Sequence, residues 1–113
     1  MDAAVATGFA LAVTYPGAGN IGGGGFMNIH MADGRTAAID YREVAPLAAT
    51  RNMYVDPATG KLTDKSIIGH LASGVPGSVA GMAEALSKYG SMSLAAVMAP
   101  AIRLASQGFI VDS

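Results

Sequence analysis

The sequence predicts an α+β fold in which a helix, a β-hairpin, a long loop and two more helices follow one another. Three observations support this order. An alanine-rich apolar segment opens the chain at residues 2–14, and two apolar stretches flank the dipeptide Asp33-Gly34. Two segments with apolar residues at helical spacing, 76–90 and 93–107, close it. At 113 residues the chain has room for one domain, 1–113.

The first helix is expected from Asp2 to about Thr14, with Asp2 as its N-cap or first-turn acid. Apolar side chains occur all round it, so we expect burial on most of its faces. Its apolar run is shorter than the ~20 residues of a membrane span. Asp2 also lies where a signal peptide carries a basic residue. Because the helical pattern starts without a lead-in, we expect the natural chain to begin further upstream.

A β-hairpin is expected next, with strands at 26–31 and 36–41 joined by a type I′ turn at Asp33-Gly34. A two-residue loop would pair Ile29 with Ala38. Neither face would then be cleanly polar, which indicates a sheet covered on both sides. Such a sheet needs more than two strands, so the sequence predicts a piece of a larger sandwich.

Residues 43–75 carry turn signals and are expected to be mostly irregular, and two helices should follow. Pro76 suits the first turn of one helix, and Gly90 suits its end. The apolar stripe expected on this helix is Val79, Met82, Ala83 and Leu86.

Ser93 should cap the last helix, and Gly108 should end it. Pro100 falls inside this helix. The expected apolar stripe is Val97, Met98, Ala101, Ile102 and Ala105.

Composition excludes several kinds of function. Hydrophobic residues make up 51% of the chain and charged residues 13%, about half the usual charged share. Much of the surface is therefore expected to be covered by other protein. The net charge is −1 without a basic cluster, which argues against a nucleic-acid partner. Cysteine is absent, so disulfides, thiolate metal sites and cysteine nucleophiles are excluded.

A glycine-rich segment at 17–25 has six glycines in nine positions. Such a loop can cradle phosphate, but Phe26 and Met27 stand where a P-loop requires Lys and Ser or Thr. A helix precedes the segment and a strand follows, the reverse of the dinucleotide-binding order. We therefore predict a tight passage packed against neighbouring backbone.

Arg42 is the candidate binding residue, at the end of the second strand. A guanidinium there can bind a carboxylate through two parallel hydrogen bonds. The alternative from the residues alone is a structural ion pair with Asp40 or Glu43.

The other polar residues give weaker evidence for a functional site than Arg42 does. His30 and His70 have no ligand cluster at zinc spacing, so no metal site and no cofactor are predicted. Ser73 lacks the Gly-x-Ser-x-Gly pattern of a hydrolase elbow, so a serine nucleophile is not expected.

Five collinear segments resemble the large subunit of γ-glutamyltransferases, also called γ-glutamyl transpeptidases. The resemblance covers essentially the whole chain. The matching segments are 2–6, Gly19–Phe26, Asp40–Pro46, Ser73–Gly81 and 100–109.

This resemblance implies a partial N-terminal-nucleophile hydrolase fold, a fragment of an αββα sandwich, made as a precursor that cleaves itself. The N-terminal threonine of the small subunit would attack the γ-glutamyl amide of glutathione and related compounds, and water, an amino acid or a peptide would accept the glutamyl group. By position, Arg42 matches the arginine that binds the glutamyl α-carboxylate. Glu43 matches the acid beside it, which orients Arg42 or the substrate amine. By this resemblance a periplasmic or secreted location is expected, since bacterial members are typically exported and others are membrane-anchored outside the cell.

The resemblance also implies what this chain lacks. The nucleophile and the oxyanion hole belong to the small subunit, so no catalytic residue is assigned here and the chain alone is expected to be inactive. Two alternatives remain. One is a fragment of a related glutaryl or cephalosporin acylase or of a capsule-processing relative, and the other is a non-catalytic module that self-associates through open strand edges.

Overall fold

The computed structural model describes residues 1–111 and shows the predicted order of elements. One compact unit comprises residues 1–42 and the chain from Pro76 onward, and the other comprises Glu43–Val75. The first unit contains every regular helix and strand of the described chain: α1 Asp2–Thr14, β1 Phe26–His30, β2 Thr36–Asp40, α2 Ser78–Tyr89 and α3 Leu94–Gln107.

The register of the β-hairpin differs from the prediction by one residue. Ile29 pairs with Ala37 rather than with Ala38. A type I′ turn would need a positive φ at Asp33, and no non-glycine residue within 1–111 has one. Instead, the Gly34 N–H donates to the Met31 carbonyl at 2.9 Å and Gly34 has a φ of 86°. The longer loop shifts the pairing, because Asp-Gly is compatible with either loop length.

This shift separates the two faces of the hairpin. Met27, Ile29, Ala37 and Ile39 share one face, where both isoleucines are buried. The opposite face is exposed in this chain, including Phe26 at 65%. The described residues therefore cover only one face of the hairpin, and a one-residue slip decides which side chains lie on it. Covering of the other face by a larger sandwich stays a prediction.

The core of the first unit lies between the three helices and the inner face of the hairpin. α1 contributes Val5 and Phe9, which are 0% and 3% exposed. Leu11 on the same helix is 43% exposed, so the described residues cover only part of the α1 surface, and burial on most of its faces stays a prediction. Among the described residues, α1 packs extensively on α3 and to a smaller extent on α2. The buried core residues are Val5, Phe9, Ile29, Ile39, Met82, Ala85, Leu86, Val97 and Ala101.

Small residues decide which face of α2 is buried. Its buried residues are Ser78, Gly81, Met82, Ala85 and Leu86. Val79 is 41% exposed, so the predicted stripe is rotated from the observed one. Pro76 precedes the N-cap and is not part of the first turn.

The ends of α3 follow the prediction. The Ser93 hydroxyl accepts a hydrogen bond from the Ala96 N–H at 3.2 Å, and Gly108 ends the helix with a φ of 81°. Val97 and Ala101 are buried. Ile102 and Ala105 are exposed, which corrects their expected place in the stripe.

Asp2 ties the start of α1 to the loop between α2 and α3. Its carboxylate accepts hydrogen bonds from the backbone N–H groups of Met92 and Ser91, both at 2.8 Å, and from the Ser91 hydroxyl at 3.0 Å. The backbone bonds from Met92 and then Ser91 lower the pKa of Asp2 from its ordinary 3.8 to about 2.

We expect Asp2→Ala to lower the unfolding midpoint of the 113-residue chain at neutral pH. Because the native pKa is depressed, the contribution of Asp2 is complete above 3.8 and is lost as pH falls towards about 2. Thermal unfolding followed by circular dichroism should show the two proteins converging across that range. Asp2→Asn keeps an acceptor oxygen without the charge and serves as the control. Parallel curves for wild type and Asp2→Ala would contradict this role.

The second unit, Glu43–Val75, is mostly irregular, as predicted. It contains two short 3₁₀ turns, at Asp64–Ser66 and His70–Ala72, and isolated bridges join Val44 to Val75 and Val55 to Leu62. The Tyr54 hydroxyl donates to the Leu71 carbonyl at 3.0 Å. These isolated bridges and hydrogen bonds do not extend into a continuous β-ladder.

Candidate functional site

Arg42 lies two residues after the end of β2 and is exposed. The Asp40 carboxylate accepts the backbone N–H of Arg42 at 3.0 Å and does not pair with the guanidinium. In the part of the chain that the structure describes, the ion pairs are Arg35 with Asp33 and Lys88 with Glu84. The alternative of a structural ion pair at Arg42 is therefore wrong within residues 1–111. The guanidinium retains its donors for a ligand.

The end of the glycine-rich segment before β1, residues 23–25, is packed as predicted, whereas residues 20–22 are exposed and a Cβ on Gly22 would meet no atom within 4 Å. The Gly23 carbonyl accepts hydrogen bonds from the N–H groups of Gly77 and Ser78, at 2.9 and 3.0 Å. These N–H groups belong to the N-cap and to the first residue of α2, so a backbone carbonyl already satisfies donors that a phosphate would need. This geometry does not support phosphate binding at the start of α2.

Tyr41, the residue before Arg42, is hydrogen-bonded to the last residue of the glycine-rich segment. Its N–H donates to the Gly25 carbonyl at 2.9 Å, and its half-buried ring packs against the core. The residue before the candidate guanidinium is thus anchored through both its backbone and its side chain.

Glu43 belongs to the second unit and is exposed. It lines a surface cavity of about 420 Å³ within that unit, together with Pro46, Met53, Tyr54, Ser73 and Gly74 among others. A Cβ on Gly74 would lie 3.1 Å from the Glu43 Cβ, so the stem of Glu43 packs closely against this glycine. Within residues 1–111, the Glu43 carboxylate forms no ion pair.

The remaining candidates form no site. His30 and His70 are exposed, and within residues 1–111 no three His, Asp or Glu side chains come together as metal ligands. Ser73 is exposed and lies in the second unit. No helix among the described residues has the length and apolarity to cross a bilayer.

The sequence indicated that Gly77 shapes the entry into α2, but the contacts of Gly77 and Gly81 with Tyr41 were not predicted. The signal was present in their spacing. Residues four apart at the start of a helix share a face, so two glycines there leave room for a neighbouring chain.

The comparisons with known proteins decide the family. A family model described as Gamma-glutamyltranspeptidase matches residues 1–113. The chain is a member of the γ-glutamyltranspeptidase family. It matches the N-terminal part of the large subunit, which confirms the resemblance given by the five segments.

Relatives in this family include enzymes made as proenzymes. The glutathione hydrolase proenzyme of Escherichia coli is 57% identical over 112 residues, which cover 99% of this chain and 19% of that protein. An acylase of Pseudomonas sp. strain V22, the ACY 1 proenzyme, is 44% identical over 117 residues, covering 98% of this chain and 21% of that protein. The chain thus spans about a fifth of the length of the curated relatives it matches.

A solved structure agrees with the fold. The Helicobacter pylori γ-glutamyltranspeptidase superposes with a TM-score of 0.87 at 56% identity, over 96% of this chain and 31% of that one. The solved γ-glutamyltranspeptidases have the N-terminal-nucleophile hydrolase fold, and the present chain is a small α+β part of it.

Proposed function

We propose that this chain is part of a glutathione hydrolase and that Arg42 binds the α-carboxylate of the γ-glutamyl substrate. The observation that carries the proposal is the exposed guanidinium at the end of β2, which has no ion-pair partner within residues 1–111. It lies in the segment Asp40–Pro46, which resembles the family signature. Two parallel hydrogen bonds from the guanidinium would fix both the position and the plane of a bound carboxylate.

Holding the carboxylate positions the γ-amide for attack. The nucleophile in this proposal is the N-terminal threonine of a small subunit from the same precursor, which completes the site. The contribution of Arg42 is orientation, which lowers the entropic part of the acyl-transfer barrier. Glu43 would accept a hydrogen bond from the substrate amine or orient Arg42.

A hybrid proenzyme tests the function. In it, residues 1–113 replace the matching segment of the Escherichia coli relative, which is 57% identical. We expect the hybrid to release the anilide from a γ-glutamyl anilide, whereas the isolated chain should give no release above background. An inactive but folded hybrid, or turnover by the isolated chain, would overturn the proposal.

The same hybrid separates the glutathione hydrolase from the acylase alternative. A glutaryl anilide lacks the α-amine but keeps the free carboxylate and the anilide carbonyl of a γ-glutamyl anilide. We expect the hybrid to prefer the γ-glutamyl anilide strongly, because an amine partner such as Glu43 would be left without its ligand. Equal turnover of the two anilides would favour the acylase.

A further inference from the structure

We propose that Gly25, Gly77 and Gly81 form a cradle that fixes Tyr41 and thereby sets the position of Arg42. We call these three residues the Tyr41 cradle. The inference rests on the proposed function of Arg42 and goes beyond it, because it assigns positioning residues that touch no substrate.

Gly77 closes the cradle against the backbone. A Cβ at this position would overlap the Tyr41 carbonyl oxygen and lie 2.8 Å from the Tyr41 carbonyl carbon. It would also lie 3.4 Å from the carbonyl oxygen of Arg42 itself. Backbone atoms cannot rotate away as a side-chain end can. A substitution at Gly77 would therefore move the peptide unit that carries Arg42.

Gly81 closes the cradle against the base of the Tyr41 side chain. A Cβ here would overlap the Tyr41 Cβ and Cγ atoms and lie 2.5 Å from Cδ1. Gly81 is buried in the interior of α2, where glycine is unfavourable relative to alanine. Its φ is not in the left-handed region, so backbone conformation does not require glycine. Glycine is required at this position because Tyr41 occupies the space that a Cβ would fill.

Gly25 completes the cradle on the far side of the ring. A Cβ on Gly25 would approach Tyr41 Cε2 and Oη to 3.2 Å, while the Gly25 carbonyl accepts the Tyr41 N–H at 2.9 Å. Tyr41 is thus held at its N–H, its carbonyl and its ring. The next N–H, that of Arg42, is bonded to Asp40. A binding residue must be held to a fraction of an ångström, and these contacts hold the backbone from which Arg42 extends.

The test uses the hybrid proenzyme with Gly81→Ala and Gly25→Ala. We expect Gly81→Ala to lower kcat/KM for the γ-glutamyl anilide by about 10- to 100-fold, chiefly through KM, because small misplacements of a binding group are costly. Gly25→Ala, where the ring need yield only slightly, should give a smaller effect in the same direction. If Gly81→Ala does not fold, Gly25→Ala decides the outcome.

Two glycine substitutions serve as controls. Gly22→Ala meets no atom within 4 Å and should leave KM unchanged. Gly90→Ala crowds Leu86 Cδ1 at 2.6 Å without touching Tyr41, so it should lower stability while KM stays the same. A rise in KM with Gly90→Ala equal to that with Gly25→Ala would show a general loss of stability and overturn the inference.

A double-mutant cycle with Arg42→Ala measures whether the cradle substitutions raise KM through Arg42. A purely structural role would not give such coupling. In the Arg42→Ala background, the cradle substitutions should cause no further rise in KM. Full additivity would overturn the positioning role. If Arg42→Ala raises KM but neither cradle substitution does, only the inference fails. If Arg42→Ala leaves KM unchanged, the proposed function itself fails.

Discussion

Replacing Arg42 by alanine in the hybrid proenzyme is expected to lower kcat/KM for a γ-glutamyl anilide about 100-fold, mainly through a higher KM. Hydrogen bonds to charged groups contribute ~1.5–3 kcal/mol each, so losing two of them costs at least about 3 kcal/mol, which corresponds to roughly 100-fold. Because the exposed guanidinium forms no ion pair within residues 1–111, the substitution should weaken binding of the substrate carboxylate and leave the folding stability unchanged. Steady-state kinetics and a thermal unfolding curve measure the two effects separately.

Two variants sharpen this prediction. Arg42→Lys keeps the charge but loses the planar fork, so it should recover only part of the affinity. Arg103→Ala removes an exposed arginine from α3 and should leave both kinetic constants unchanged. Equal KM values for Arg42→Ala and Arg103→Ala would contradict carboxylate binding at Arg42.

Replacing Phe9 by alanine is expected to destabilise the 113-residue chain by about 3–5 kcal/mol, the usual cost of removing a buried phenylalanine. Phe9 is 3% exposed in the core of the first unit, and a domain of this size has little stability to lose. Urea unfolding followed by circular dichroism measures the change.

Phe26→Ala is the matched control, because it removes the same side chain from the exposed face of the hairpin at 65% exposure. We expect its effect to stay within about 0.5 kcal/mol. Similar losses for the two variants would contradict the assignment of the core.

Local signals in the sequence predicted the elements correctly where a nearby residue decides the structure. Ser93 caps α3 because its hydroxyl reaches an N–H three residues on, and Gly108 ends it because glycine tolerates a positive φ. The hairpin was placed correctly but its register was not. Asp33-Gly34 suits two loop lengths, and the choice between them exchanges the two faces of the sheet.

The missed features depend on contacts between parts of the chain that are distant in sequence. Asp2 and Ser91 are separated by 89 positions in the sequence and meet only in the folded chain. The buried face of α2 is set by the close approach of Tyr41 to Gly81, so hydrophobic spacing placed Val79 on the wrong side.

The candidate site was only partly predictable. The segment Asp40–Pro46 identified Arg42 by resemblance, but residues alone left an ion pair with Asp40 or Glu43 open. The structure shows that Asp40 binds the backbone instead, because a carboxylate two residues back can reach that N–H in an Asx-type turn.

A crystal structure of the hybrid proenzyme with glutamate bound tests the assignment of Arg42 most directly. We predict two Arg42 guanidinium nitrogens within about 2.7–2.9 Å of the two α-carboxylate oxygens, the geometry of a bidentate pair. An α-carboxylate held by other residues, with the Arg42 side chain turned to solvent, would contradict the account.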